Sequence, residues 1–351
     1  MNNQNRFMQW LCKAGRALAA LPWARIGLIF LCSFLTLVLT VLIAGTVYVE
    51  NILGQIRRPS LDGGEGSVSE ETYTLPSDFS GETLDKNQIE TNEEPYITIA
   101  HKDIVNIMLV GQDRREGATG RTLSDAMILC TVNKKAGTIT LTSFMRDLYV
   151  TIPGHNSHKM NSAYSWGGMP LLSKTLMTNF GVKVDGFVEV DFSGFKKVID
   201  SIGGVSISLT AQEAELLNTE EGFSLVPGIN RLNGNEALQY SRIRSIGSDF
   251  QRTQRQRNVI SAVISQCKNL SFSQINGLIN SLLPVVATDL TNAQILSYAV
   301  DLFPLLSGST VIQQRIPIEG SYKLCYVGAM SVVLPDIEMN HQFLVDTLLP
   351  K

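Results

Sequence analysis

Charge is scarce in this 351-residue chain: Asp, Glu, Lys and Arg make up 17%, against about 25% in an average soluble domain. With 44% hydrophobic residues, disorder of the whole chain is excluded. Histidine is sparser still. His101, His155, His158 and His341 show no metal-ligand spacing, and no GxSxG or Walker A pattern occurs, so neither a serine triad nor a P-loop is indicated. Of five cysteines, Cys12 and Cys32 fall in the first 48 residues. Cys130, Cys267 and Cys325 remain, an odd number without a CxxC pair, which supports neither a disulfide framework nor a zinc site. Cys130, in the apolar run AMILCTV, and Cys267, in a helical pattern, read as buried small hydrophobes. No internal repeat or heptad run is found.

Acids are missing from residues 1–48, which carry the four bases Arg6, Lys13, Arg16 and Arg25. Residues 26–48 are 23 without a charge, long enough as a helix to cross a bilayer's hydrocarbon core. The run exceeds the h-region of a cleaved signal peptide, the competing reading. A single-pass anchor follows, with residues 1–25 in the cytoplasm by the positive-inside tendency and everything after about residue 50 outside the cell membrane. Residues 49–102 are then an extracytoplasmic acidic linker. Within it, residues 59–95 hold ten acids against Lys86 and too few aliphatics to bury, which predicts a flexible stalk.

By difference, residues 96–351 hold 22 bases and 21 acids. So small an excess provides no broad basic face, and a nucleic-acid partner is not expected. Strands are predicted at 103–110, 126–132 and 138–144, the last two forming a hairpin through 134–137. Helices at 170–180 and 192–202 alternate with strands at 186–190 and 205–209. Further helices are predicted at 233–241, 250–268, 293–306 and from about Asp336, with a short strand near Val311. The glycines after Trp166 suggest a tight turn. The expected fold is α/β, a mixed central β-sheet sandwiched by α-helices, over residues 103–351: core motifs in 103–268 and a helical extension in 269–351.

Two segments crowd polar residues where strands end. GQDRREGATGRTLSDAM carries Asp113 and Asp125 with Arg114, Arg115 and Arg121 between them. Two carboxylates flanked by arginine suit Mg²⁺ bridging to phosphate, although a loop of surface ion pairs would read the same way. YSRIRSIGSDFQRTQRQRNV holds Arg242, Arg244, Arg252, Arg255 and Arg257 with one acid, Asp249. On a helix with Arg252 at zero, Gln256 falls near about 40°, Arg255 near about 300°, and Val259 and Val263 within about 20°. Arginine and core therefore share a face, whereas a solvated helix would oppose them. Arg252 would point inward at a helix N-terminus, where an anion is favoured. Arg257, at about 140°, reads as solvated. If residues 241–245 are extended, Arg242 and Arg244 project together. Inward guanidinium groups need anionic partners, and a phosphorylated ligand or a buried network on Asp249 would supply them.

These motifs together resemble the LytR-CpsA-Psr family of membrane-anchored proteins of Gram-positive envelopes. The resemblance rests on GQD, Ser124-Asp125, SFMRDLYVTIPG, NSAYSWGG, VEVDFSGF, IGGV, Arg242-x-Arg244 and the D-F-x-R-x-x-R-Q of residues 249–256. It implies a transferase that moves a glycopolymer phosphate from a polyprenyl pyrophosphate carrier onto a peptidoglycan hydroxyl. By it, Asp113 and Asp125 would hold Mg²⁺. Arg115, Arg146, Arg242, Arg244, Arg252, Gln256 and Lys159 would bind the pyrophosphate, and Asp249 or Asp147 would orient an arginine or assist the attacking hydroxyl. An apolar pocket between sheet and helices would take the prenyl chain. In one departure the family's arginine two residues before the second aspartate is Leu123 here, with Arg121 as its stand-in. Prenyl phosphate binding without transfer, pyrophosphate hydrolysis and transcriptional regulation are the rival functions.

Overall fold

The computed structural model describes residues 36, 40, 48–58, 83–84, 96–112, 124–268, 274, 278, 283–306 and 308–350, with backbone alone for Asp125, Ala299, Leu302, Phe303, Pro304 and Leu306. The chain divides into two compact units, Met1–Gly54 and Gln55–Lys351. In the first, residues 36, 40 and 48–53 are helical. Among the described residues no helix is long and apolar enough to cross a membrane. The expected anchor at 26–48 lies outside them except at Thr36, Thr40 and Tyr48.

The second unit is built on a six-stranded sheet. Strands β1 (Thr83–Leu84), β2 (Ile104–Gln112), β3 (Ser124–Asn133), β4 (Thr138–Phe144), β5 (Tyr149–Val150) and β6 (His158–Lys159) precede helix α1 (Met160–Phe180). Then come β7 (Gly186–Asp191), α2 (Phe192–Ser201), β8 (Val205–Leu209), α3 (Ala211–Glu221), β9 (Gly228–Leu232), α4 (Gly234–Arg242) and α5 (Asp249–Cys267). The chain continues through β10 (Val286–Thr288), α6 (Asn292–Leu306), β11 (Thr310–Ile316), β12 (Tyr322–Val327), β13 (Met330–Pro335) and α7 (Ile337–Leu348). The main sheet runs β10-β7-β2-β3-β4-β11. β2, β3 and β4 form an antiparallel meander, β7 joins β2 and β11 joins β4 in parallel, and β10 closes the far edge antiparallel.

Period-two alternation explains how the sheet is covered. Met108, Val110, Met127, Leu129 and Phe144 face α1 and α7 in the largest core. Leu109, Ile128, Cys130 and Leu141 face the other way, toward Ile260 and Ile264 of α5 and Leu305 of α6. A separate core packs α2, α3 and α4 with the β8–β9 hairpin and Val259 of α5. Helix starts are set by side-chain caps: Asp191 accepts from Gly194 N, Thr210 from Glu213 N, Asn233 from Glu236 N and Asp336 from Met339 N, each a partner for a donor the helix itself leaves unpaired.

Several sequence expectations change. The helix expected from 170 begins at Met160 and kinks at Gly168 (φ 61°, ψ −153°), a left-handed backbone conformation open to glycine. The tight turn after Trp166 thus lies inside a helical stretch. Residues 269–351, expected to be a helical extension, contribute four strands, and two of them are the edges of the main sheet. The linker is not wholly free either. Thr83 and Leu84 pair with Tyr326 and Val327, Ile99 is fully buried against the bulk of the unit, and Arg58 donates to Asn292 and to the Leu290 carbonyl.

Candidate active site at the carboxyl ends of the strands

β2, β4, β7 and β11 all run in one direction, so their carboxyl ends collect on one edge of the sheet, where open α/β sheets place their ligands. Gln112 ends β2, and Asp191 pairs with it at the end of β7. Beyond the end of β4 come Arg146 and Asp147. That turn is clamped by its backbone: Asn161 N donates to the Arg146 carbonyl at 3.1 Å and Val333 N to the Asp147 carbonyl at 2.9 Å.

Three segments meet there in a chain of charges. Lys159 Nζ lies 2.9 Å from Asp147 Oδ1, and Arg146 Nε is 3.3 Å from Asp147 Oδ2 and 3.9 Å from Asp249 Oδ2. Arg252 Nη2 closes the series at 2.8 Å from Asp249 Oδ1. Arg252 is 2% exposed, while the other four side chains keep between 16% and 26% open. Three cations against two carboxylates leave an excess positive charge in a partly dry cleft, and such a cleft attracts an oxyanion. Of the residues proposed from sequence, Arg146, Lys159, Asp249 and Arg252 are therefore brought together, with Asp147 between them.

Gln256 is half-buried one turn after Arg252 on α5. Arg242 and Arg244 do not project from an extended segment, because α4 continues through Arg242 and Ile243 turns into the core. Both arginines are exposed. The Arg242 guanidinium lies 4.6 Å from the ring centroid of Phe192, the residue after Asp191, which brings it to the same edge. Arg255 does a different job: it binds Glu213 at 2.7 Å and the carbonyls of Ile243 and Ile246, pinning the loop that carries Arg244.

Asp113, Arg115, Arg121 and Leu123 lie outside the described residues, and Asp125 is placed by backbone alone at the start of β3. Among the described residues no group of three or more His, Cys, Asp and Glu could hold a metal. The strand ends on either side of residues 113–123 nonetheless offer oxygen. Gln112 Oε1 and Ser124 Oγ, on paired residues, are buried without a hydrogen-bond partner among the described residues. Buried orphan acceptors are rare, and hard oxygen donors with their waters suit a hydrated Mg²⁺. Sequence reasoning missed the chain beside them, in which Gln112 Nε2 donates to the Tyr164 hydroxyl and that hydroxyl donates to Glu189. Both partners stood within quoted motifs, NSAYSWGG and VEVDFSGF, and Glu189 carried a signal there as an acid between two valines.

On the α5 side of the sheet an apolar strip approaches this edge. Ile107, Leu109, Gly111, Ala126, Cys130, Val188, Val190 and Val286 share that face by register and are all half-buried. Its smallest members, Gly111 opposite Ala126, come last before the strand ends. Burial still pushes the Cys130 thiol up to about 12: the sulfur lies among aliphatics even though its surface is not closed off.

Comparison with known proteins gives a match to the LytR_cpsA_psr family over residues 72–340. The chain is 37% identical over 177 residues to the polyisoprenyl-teichoic acid–peptidoglycan teichoic acid transferase TagT of Bacillus subtilis, covering 48% of this chain and 55% of that one. To TagU of the same organism, which carries the same transferase description, it is 35% identical over 193 residues, covering 54% and 60%. The regulatory protein MsrR of Staphylococcus aureus is 32% identical over 225 residues, covering 62% and 66%. The chain thus spans between 55% and 66% of the length of these relatives. Among solved structures, TagT bound to LIIa-WTA superposes with a TM-score of 0.59 at 27% identity, covering 73% of this chain and 97% of that one. TagT with bound octaprenyl pyrophosphate lipid gives 0.55 at 25% identity, covering 74% and 99%.

Proposed function

Since the chain belongs to the LytR-CpsA-Psr family, we propose that it is a membrane-anchored transferase acting at the strand-end site. It moves a glycopolymer phosphate from a polyprenyl pyrophosphate carrier to a hydroxyl of peptidoglycan. The supporting observation is the charge chain from Lys159 to Arg252, set at the end of a half-buried apolar strip. One such site can hold a diphosphate and the first isoprene units behind it. The relatives named for teichoic acid transfer and the bound octaprenyl pyrophosphate agree with that chemistry.

In this reading the acceptor oxygen bonds to the phosphorus that carries the glycan while the pyrophosphate bridge breaks, and polyprenyl phosphate leaves. Arg146, Arg252, Lys159 and Gln256, with Arg115, Arg121, Arg242 and Arg244, hold the diphosphate oxygens. Phosphoryl transfer needs positioning and charge neutralisation more than a covalent nucleophile. Asp249 keeps Arg252 and Arg146 oriented, and Asp147 does so for Arg146 and Lys159. Either carboxylate can accept the hydroxyl's proton. Mg²⁺, when held by Asp113 and Asp125, supplies further neutralisation of the pyrophosphate. Anchoring by residues 26–48 places the domain outside the membrane beside a donor that never leaves the bilayer, which raises its effective concentration.

The test uses the detergent-solubilised full chain with lipid-linked donor, peptidoglycan acceptor and Mg²⁺. Asp113→Ala should lower transfer by at least about a hundredfold, the scale of losing one well-placed charge stabiliser. Undiminished transfer would remove Asp113 from the site. Release of polyprenyl phosphate at the full rate without acceptor would make the protein a pyrophosphatase instead.

A further inference from the structure

Arg257 is the third buried arginine on α5, 2% exposed, but unlike Arg252 and Arg255 it has no acidic partner among the described residues. Its Nη2 donates to Gln254 Oε1 at 2.6 Å. Its Nε and Nη1 are buried with no hydrogen-bond acceptor among the described residues. Gln254 donates in turn to Gln313 Oε1 of β11 at 2.6 Å, so this part of α5 is tied to β11. Two residues on from Gln313, on the same face of the strand, stands Arg315. The parallel register sets Arg315 beside Ser143 of β4, whose hydroxyl is buried and also without a partner among the described residues.

Two guanidinium groups therefore face one seam. Burial first, and repulsion from Arg315 second, push Arg257 down from 12.5 to about 10. A seam that needed only to be filled would be at least as stable with Met or Leu there, because unpaired buried donors are costly. We propose that the α5–β11 seam is a second anion subsite, separate from the strand-end charge chain, that receives a phosphate group between Arg257, Arg315 and the Ser143 hydroxyl.

A tetrahedral oxyanion can engage two guanidinium groups and a hydroxyl at once, which a planar carboxylate does less well. The way in passes Arg315, whose side chain is 21% exposed and whose acidic partner Glu319 is 84% exposed. The anion displaces Glu319 at 2.6 Å from Arg315, while Arg315 keeps its bond to the Pro317 carbonyl. Arg315 also lies 4.2 Å from the Phe250 ring centroid, and Phe250 follows Asp249, so the subsite opens beside the first. It stands or falls independently of the transferase reading.

The experiment follows the melting temperature of the full chain in detergent as inorganic phosphate is titrated in, with a parallel series in a glycerol phosphodiester. The wild type should rise by about 4 °C or more near saturation. Arg257→Met should melt no lower than wild type without phosphate and lose at least half of the rise. Arg315→Met, at the more open position, should lose the same share, and Asp113→Ala should keep it. A response to inorganic phosphate alone identifies free phosphate or a monoester as the ligand. A response to both identifies a polymer phosphodiester. If Arg257→Met and Arg315→Met keep the full rise, or Arg257→Met melts lower in phosphate-free buffer, the subsite is refuted.

Discussion

The two faces of the central sheet are built from the same strands and packed to different standards. On the α1 side, Met108 and Leu129 are fully buried and Val110, Met127 and Phe144 are 2% exposed. On the α5 side Ile128, Ile139 and Leu141 are buried as well, but Ile107, Leu109, Gly111, Ala126 and Cys130 beside them remain half-buried. Protein interiors otherwise pack to crystal density. One face is thus closed along these strands, and the other combines a small closed cluster with apolar surface left available along a line that ends at the arginine and aspartate chain.

The most severe way to probe that contrast is from the closed side. Leu129→Ala should cost about 3 kcal/mol, a fall of about 6–10 °C in melting temperature, while molecules that remain folded bind octaprenyl pyrophosphate as before. Equal losses of stability and lipid affinity would show that the faces are not separate. Ala126→Phe attacks the open side. Its ring can spread over the space left by Gly111, so melting should move by about 3 °C or less. Affinity for octaprenyl pyrophosphate should drop at least about tenfold, or about 1.4 kcal/mol. Unchanged affinity would move the prenyl chain elsewhere. The mildest probe is chemical. With its thiol raised from 9.0 to about 12, Cys130 should react with iodoacetamide at pH 8.5 at least about a hundredfold more slowly in the native protein than after denaturation. A group raised on folding binds protons more tightly in the native state. Its contribution to stability is therefore complete below about pH 9 and lost as pH climbs through about 12. Rapid native labelling, read by peptide mass spectrometry, would show that water reaches the strip.

Much of this was legible in the sequence where one periodicity governs. β4 spans the predicted residues 138–144, and α5 differs from 250–268 by one residue at each end. Arg252 was recognised as inward because Val259 and Val263 share its stripe. Arg257 was misread as solvated because that reading allowed one buried stripe, and α5 has two. Val259 and Val263 serve the α4–β8 core, while Ile260 and Ile264, a turn or two beyond Arg257, meet the sheet. The β12–β13 hairpin and α3 went unseen. β12 exposes Leu324 at 67%, and α3 is acidic enough to pass for a surface loop. Glu213 on α3, the partner of Arg255, was lost with it. The pairings of β10 and β11 bridge more than 90 and 160 residues, a separation that local pattern cannot reach.

Those distant pairings bear on how the protein is made. Synthesis runs from the N-terminus, so β2, β3, β4 and β7 are complete while the ribosome has yet to add residues 286–316. Until then both rims of the nascent sheet carry unpaired backbone amides and carbonyls, the surface by which strands join neighbouring polypeptides. A premature stop after residue 268 would leave every motif of the strand-end site in place and still yield a sticky product, because the chain's final quarter is the hem that keeps the sheet from fraying into its neighbours.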